Sequence, residues 1–348
     1  MLTTINKLKN NRSLSSEEYR QILLSSDREL FLSLQKEARD VALENFGNRI
    51  YIRGLIEISN HCRNNCYYCG IRAANRDIER YRLDIKTILE CCRSGYELGF
   101  RTFVLQGGED RAQSDDWMVE CTRKIRNEFK DCAITLSIGE KTKEVYQRFY
   151  DAGANRYLLR HETICSDHYS KLHPKNMNIE SRIEALESLK EVGFQVGTGI
   201  MVGSPYQTIN NIVEDIKFIE NFKPQMIGIG PFIPHKSTPF ATDKSADIEL
   251  TLKLLSIFRL ISPKALIPST TALSSLAEDG RERGILSGAN VVMPNLSPSE
   301  QRSKYSLYNN KAAFGVEAAE GLRKLEQRFE AIGYTISYER GDFFNYKL

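Results

Sequence analysis

Three cysteines carry the spacing best suited to chemistry. Cys62-Arg63-Asn64-Asn65-Cys66-Tyr67-Tyr68-Cys69 reads C-x3-C-x2-C. Three thiolates this close can bind three irons of a [4Fe–4S] cluster, and a fourth cysteine would ordinarily close the set. None is nearby, since the other five stand at positions 91, 92, 121, 132 and 165. One iron would then stay open to a small chelating ligand. The competing reading is a zinc site with His61 as fourth ligand. Two facts count against it: His61 adjoins Cys62 and reaches around the same ion with difficulty, and structural zinc sites usually present two paired ligand motifs. A disulfide framework belongs to small secreted chains, which this is not. The five remaining cysteines read as small buried hydrophobes.

The elements that must hold this loop show in the apolar periodicity. The first 46 or so residues read as helices, with capping boxes at Ser15-Ser16-Glu17-Glu18 and Ser26-Asp27-Arg28-Glu29. Leu30, Leu34, Ala38 and Val41 fall at helical spacing, and the helix stops near Gly47. Short apolar runs predict strands over 51–58, 102–105, 133–137, 156–159, 195–201, 225–229, 265–268 and 290–293. Amphipathic helices are predicted between them, as over 85–99, 143–153, 179–193 and 209–221, several ending in glycine. Alternating strand and helix implies a parallel sheet with right-handed crossovers. Eight such strands make the expected fold class α/β, a (β/α)8 TIM barrel. The expected organisation is a helical lead-in over 1–48, the barrel over 49–296, and a C-terminal helical extension over 297–348 that closes it. That extension begins with Ser297-Pro298-Ser299-Glu300, a capping box with proline at the first helical position, and ends in a helix near 317–332. Loops at the C-terminal ends of barrel strands surround the active site, and the cysteine loop follows the first strand.

Composition excludes other classes. The chain has 348 residues, 48 Lys+Arg against 45 Asp+Glu, and a net charge of +3. So balanced a charge gives no field for nucleic acid or an anionic membrane. The longest uncharged run, 192–213, carries four glycines, a proline and several polar residues, so it predicts no membrane span. The first 30 residues lack the apolar stretch of a signal peptide. A cytoplasmic protein is expected.

With Tyr68 just before the last cysteine, the motif resembles that of the radical S-adenosylmethionine (SAM) enzymes. The surrounding sequence resembles, more narrowly, the HydE maturases of [FeFe]-hydrogenase. The stretches that carry this are Asn60-His61-Cys62 through Tyr68-Cys69-Gly70, Arg160-His161-Glu162-Thr163, and Gly228-Ile229-Gly230-Pro231-Phe232-Ile233-Pro234-His235. Ile267-Pro268-Ser269-Thr270-Thr271-Ala272 and Asn290-Val291-Val292-Met293-Pro294-Asn295 complete them. The resemblance runs from about Arg53 to Tyr308. Biotin synthase and methylornithine synthase share the architecture but lack this combination.

The resemblance implies one [4Fe–4S] cluster on Cys62, Cys66 and Cys69, and reductive cleavage of SAM to a 5′-deoxyadenosyl radical. Gln106-Gly107-Gly108-Glu109 resembles the motif that takes the SAM amine, where absent side chains let backbone approach the ligand. Read without the resemblance, it is equally a plain strand-to-helix turn. Glu162 and Arg182 resemble SAM-contacting residues, Arg182 matching the SAM carboxylate with its planar fork; a surface ion pair is the bland reading. Tyr68, Ser137, Met201 and Met293 complete the implied SAM contacts, the methionines packing on adenine or ribose; read alone, each methionine is equally a core residue. Arg53, Thr135, Arg156, Arg160, Thr270 and Thr271 are polar residues in barrel strands, where an unpaired charge is costly. Together they would form an anion site. The resemblance assigns them to substrate, with Tyr305 and Tyr308 closing the opposite side; ordinary layer packing is the alternative.

The implied substrate is an organometallic iron species with cyanide, carbon monoxide and cysteine ligands, used in assembling the hydrogenase diiron cofactor. The implied partners are the tyrosine-lyase and GTPase-scaffold maturases. Some HydE members carry further cysteines near the C-terminus for a second cluster, but Asn310-Lys311-Ala312-Ala313-Phe314-Gly315 has none, so one cluster is expected. Two rival readings are a radical SAM mutase of amino acids, like methylornithine synthase, and a non-catalytic scaffold that carries a cluster to a partner.

Overall fold

Capping chemistry decides where the lead-in helices begin. A computed structural model of the chain describes residues 2–312 and 317–344. The Ser15 hydroxyl accepts from the Glu18 N–H while the Glu18 carboxylate accepts from the Ser15 N–H, starting helix Ser16–Leu24. At the next start Asp27, rather than Ser26, is the cap of helix Arg28–Phe46. Its carboxylate accepts from both Glu29 and Leu30 N–H groups, a stronger acceptor than a hydroxyl at the positive end of the helix. Leu30, Leu34, Ala38 and Val41 share one core with Leu252, Leu255 and Phe258 of helix Ile248–Ile261.

The strands follow as the apolar runs require. Gly54–Ser59, Thr102–Gly107, Ala133–Ser137, Arg156–Leu158, Gln195–Thr198 and Met226–Ile227 pair in that order, all parallel. Bridges Met226 to Leu266, Pro268 to Val291 and Leu55 to Asn295 carry the ladder round, again parallel. Strand Val291–Val292 pairs with Arg49–Ile52, so the ring closes on the first strand, which is broken at Arg53. The fold is the expected α/β barrel. Side chains alternate across it. Ile56 and Ile58 face the outer helices and pack with Ile88 of helix Ile85–Glu97, whereas Leu55 and Glu57 face the barrel interior.

One close approach at the upper rim demands glycine. A Cβ on Gly199 would lie 1.9 Å from the Gly228 carbonyl oxygen, a backbone atom that cannot rotate away. Gly199→Ala is expected to cost about 3 kcal/mol by overpacking. For a chain of this size that is a fall of roughly 4 °C in Tm, read in a thermal melt; an unchanged Tm would contradict the contact.

The C-terminal extension differs from its expectation. The Ser297 hydroxyl does not cap helix Ser299–Arg302; it accepts from the Glu57 N–H at 2.8 Å. The terminal helix spans only Leu322–Glu330, and a strand, Thr335–Ser337, follows it. That strand pairs parallel with Arg49–Tyr51 below the point where Thr102–Gly107 begins its own pairing. Arg340, Gly341 and Asp342 then close the floor of the barrel. Arg156 donates to the Arg340 and Gly341 carbonyls at 3.0 Å and to Asp342 at 2.7 Å. Among the described residues no helix is long and apolar enough to cross a membrane.

Candidate functional site

The cysteine loop leaves the first strand at Ser59 and is held by polar side chains rather than by regular structure. The Asn60 amide donates to the Glu79 carbonyl at 2.9 Å and the Lys304 carbonyl at 2.8 Å, and its oxygen accepts from the Tyr81 N–H at 2.8 Å. The Arg80 guanidinium donates to the carbonyls of Asn60, Ile71, Arg72 and Asn75. These bonds replace the ladder an irregular segment lacks. Nothing in the spacing of the motif singled out Asn60 or Arg80; the signal available was a polar run flanking three cysteines.

Cys62, Cys66 and Cys69 are partly exposed, carry no disulfide, and face the same cavity. Burial pushes all three thiols up, Cys69 to about 12. The chain without a cluster therefore holds them as neutral thiols. Among the described residues no three His, Cys, Asp or Glu side chains converge on a single metal ion. A cluster offers its irons at separate corners, so its ligands need not converge on one point.

The cavity measures about 360 Å³ and opens where the strands end. Its wall brings together most of the sequence-predicted residues: Tyr68, Gln106, Gly107, Gly108, Glu109, Ser137, Glu162, Arg182, Met201 and Met293. Arg160, Thr270, Thr271, Tyr305 and Tyr308 line it too. Gly108 seats the second strand against the cysteine loop, its N–H donating to the Ser59 carbonyl at 3.2 Å. Glu109 is tied down on both oxygens, by Arg63 at 2.9 Å and the Glu140 N–H at 3.2 Å. The Tyr68 hydroxyl lies 3.3 Å from His173 Nε2. Burial pushes His173 down to about 3, so that imidazole is neutral. Its ring stacks on Tyr169 at 3.9 Å, which fixes Tyr68 against the wall.

Glu162 holds a left-handed backbone, φ +65°, a conformation uncommon for non-glycine residues. The preceding His161 is fully buried, with Nδ1 2.8 Å from the Thr198 hydroxyl and Nε2 3.5 Å from Asp215. The Glu162 N–H donates to the Gly199 carbonyl at 3.0 Å, and its carboxylate accepts from Arg160 at 2.7 Å. Arg182 donates to Glu140 and, at 2.6 Å, to the Arg160 carbonyl. Thr271 donates to Glu317 at 3.1 Å, and Glu317 is itself clamped by Arg281. The Thr270 hydroxyl and Arg160 Nε are buried without a partner among the described residues.

Arg53, Thr135 and Arg156 are not in this wall. Each lies two residues before a position at the cavity: Leu55, Ser137 and Leu158. Two residues along a strand is one layer, about 7 Å deeper. There Arg156 pairs with Asp342, and Arg53 Nη1 lies 3.2 Å from Met226 Sδ. Burial, then the neighbouring Arg156, pushes the Arg53 guanidinium well below its usual range. Of the three arginines expected in the anion site, only Arg160 lines the cavity, and Arg53 and Arg156 plug the floor beneath it. Two charged residues that the sequence reading passed over line the cavity instead: Glu57 on the first strand and Lys311 from the C-terminal extension, 2.6 Å apart. In the cysteine-free stretch 310–315, Ala313, Phe314 and Gly315 lie outside the described residues.

Residues 56–219 match the family described as the Radical SAM superfamily. The [FeFe] hydrogenase maturase subunit HydE of Thermotoga maritima is 41% identical over 300 residues, 86% of this chain and 85% of that protein. The 3-methylornithine synthase of Methanosarcina acetivorans is 30% identical over 291 residues, 83% of this chain and 81% of that protein. The crystal structure of methylornithine synthase (PylB) superposes with a TM-score of 0.82 at 25% identity, covering 96% of this chain and 97% of that one.

Proposed function

Since the chain belongs to the radical SAM superfamily, and within it to the HydE type of maturase, we propose that its substrate is an organometallic iron species. That species would carry cyanide, carbon monoxide and cysteine ligands, and would be processed toward the diiron cofactor of [FeFe]-hydrogenase. The observation that carries the proposal is three unbridged cysteines of a C-x3-C-x2-C loop facing the same cavity as a polar pocket of Arg160, Thr270 and Thr271.

The residues present fit the cofactors of this family. Cys62, Cys66 and Cys69 would hold one [4Fe–4S] cluster. When bound and reduced, that cluster supplies the electron that cleaves the sulfonium of SAM to a 5′-deoxyadenosyl radical. Gly108 has no room for a side chain against His61 and Cys62, so the strand end packs directly on the cysteine loop. Arg182 would take the SAM carboxylate. Glu162, Gln106, Glu109 and Ser137 would supply further polar contacts, while Tyr68, Met201 and Met293 would cover the nucleoside. Arg160 Nε and the Thr270 hydroxyl, without a partner among the described residues, suit an anionic, ligand-rich guest. Tyr305 and Tyr308 roof the cavity and exclude water. The tyrosine-lyase maturase would deliver the substrate and the GTPase scaffold would receive the product, in the cytoplasm.

The test is an anaerobic assay of the reconstituted protein with SAM and reductant. Formation of 5′-deoxyadenosine should rise severalfold on adding the synthetic iron–cyanide–carbonyl–cysteine complex, and not on adding L-lysine or L-ornithine. Stimulation by an amino acid alone would move the assignment to the mutases, and no SAM cleavage at all would remove the enzymatic reading.

A further inference from the structure

Glu162, one of the groups proposed for SAM, sits in a strained turn held by residues that do not line the cavity. The Thr163 N–H donates to the His161 carbonyl at 2.8 Å. Such an i to i+2 bond across a residue at φ +65° makes the rare, strained form of γ-turn. The Glu162 peptide is docked on the next strand end, donating to the Gly199 carbonyl at 3.0 Å and accepting from the Met201 N–H at 3.3 Å. Both flanks of the turn meet one side chain, Asp215 of helix Ile209–Phe222. Its Oδ1 accepts from the Ile164 N–H at 2.5 Å, two residues after Glu162. The same oxygen lies 3.5 Å from Nε2 of His161, the residue before Glu162. The other ring nitrogen, Nδ1, lies 2.8 Å from the Thr198 hydroxyl, and Phe218 packs edge-on against the ring at 4.8 Å. Asp215 is fully buried, on a helix face shared with Ile212, Ile216 and Ile219. Its second oxygen has no partner among the described residues. A carboxylate so placed costs the fold more than an apolar side chain would.

We infer that Asp215, acting through His161 and the Ile164 N–H, is a positioning residue that sets the Glu162 carboxylate for SAM. The inference rests on the assignment of Glu162 to SAM. A residue in the left-handed region relaxes out of it unless its surroundings over-determine the conformation. The bonds to Gly199 and Met201 do not do so. They are the ordinary bonds of a parallel ladder, which an extended residue would make equally well. Asp215 supplies the missing restraint, because a single oxygen faces a donor from each side of Glu162. The flanks cannot move apart without losing one of the two. Facing a carboxylate, Nε2 carries the ring proton, which leaves Nδ1 to accept from the Thr198 hydroxyl. Thr198 ends strand Gln195–Thr198, so the ring ties the turn to the barrel as well as to the outer helix. The Glu162 side chain is thereby held at the cavity wall, where Arg160 meets it at 2.7 Å. Without the clamp, SAM would have to re-form the turn on binding, and its affinity would fall accordingly.

The experiment is calorimetric binding of SAM to the reconstituted full-length protein, in a cycle of Asp215→Ala and Glu162→Gly. Each change alone should weaken binding, Asp215→Ala by about tenfold, the worth of one strained backbone residue. The double variant should bind as weakly as Glu162→Gly alone. Glycine has no carboxylate to place and takes a positive φ freely, so the clamp has nothing left to position. A barrel merely loosened by losing Asp215 would weaken both backgrounds by the same factor, and that result would overturn the inference. Two histidine variants test the clamp from its other end. His161→Gln keeps an amide nitrogen within reach of Asp215 and should retain wild-type affinity. His161→Asn keeps only the Thr198 partner and should lose affinity as Asp215→Ala does; it takes that variant's place in the cycle if the alanine does not fold. Equal loss in both histidine variants would also overturn the inference. Far-UV circular dichroism and iron per chain report that barrel and cluster are intact. Unchanged binding in Glu162→Gly would overturn the SAM assignment of Glu162 and the inference with it. A loss there, with wild-type binding in Asp215→Ala, would overturn the inference alone.

Discussion

Cys66→Ala is expected to leave a folded barrel that holds no cluster and forms no 5′-deoxyadenosine. Cys66 is the middle ligand of the proposed set, and two thiolates cannot keep three irons of a cluster in place. Its side chain is only partly buried, and the backbone bond from the Cys69 N–H to the Cys66 carbonyl does not depend on the sulfur. The cost to the cluster-free fold should be about 1 kcal/mol. Because a bound cluster itself stabilises the folded state, the melt must compare cluster-free variant with cluster-free wild type. Iron and sulfide per chain, and 5′-deoxyadenosine after reduction, should both fall to the background of the cluster-free protein. Cys121→Ala should give the opposite pattern. Cys121 is fully buried among core side chains, and burial pushes its thiol up to about 12. Its loss should lower the melt and spare the iron. Full iron loading in Cys66→Ala would overturn the ligand assignment.

What sequence made legible was whatever depends on near neighbours. The C-x3-C-x2-C loop is local, and so is the alternation of apolar runs with amphipathic helices, which is why the barrel and its cysteine loop were readable. Depth within the barrel was not. Alternation along a strand says that Arg53, Thr135 and Arg156 point inward, but a layer is set by where the neighbouring strand starts. Arg156 is one layer too low, and there it meets Asp342, which follows the tail strand Thr335–Ser337. The tail strand is three residues long and its partner is the first strand of the chain, so no local pattern marked it. Glu57 did leave a signal. A lone acid between Ile56 and Ile58 in a barrel strand must find a partner, the same reasoning applied to Arg53. Its partner, Lys311, lies 254 residues away, and that separation is what hid the pair. Ser297 belongs with it for a related reason: its hydroxyl serves the backbone of Glu57 on the adjacent strand, distant in sequence, rather than its own helix.

Gly108→Ala is expected to cut SAM cleavage about a hundredfold while the barrel stays folded. An alanine Cβ there would lie 2.2 Å from the His61 carbonyl oxygen and 2.7 Å from Cys62 Cβ. Both are parts of the cysteine loop, and neither is the far end of a flexible side chain. The second strand is fixed by pairs on both its edges, whereas the loop is held by side-chain bonds such as those of Asn60 and Arg80. The loop is therefore what must yield, by roughly 1 Å to restore ordinary contact. A displacement of that size at a reacting centre costs on the order of 10²-fold. Gly107→Ala provides the contrast. Its Cβ would meet Ile58 Cγ1 at 3.2 Å, a side-chain atom that can shift by a few tenths of an ångström, so a loss of about tenfold or less is expected. The readouts are SAM cleavage, iron content and the melt of each cluster-free variant. If the two alanines lost activity equally, or if Gly108→Ala lowered the melt as far as Gly199→Ala, the loop would not be the element that yields. The glycine would then be a requirement of the barrel rather than of the site.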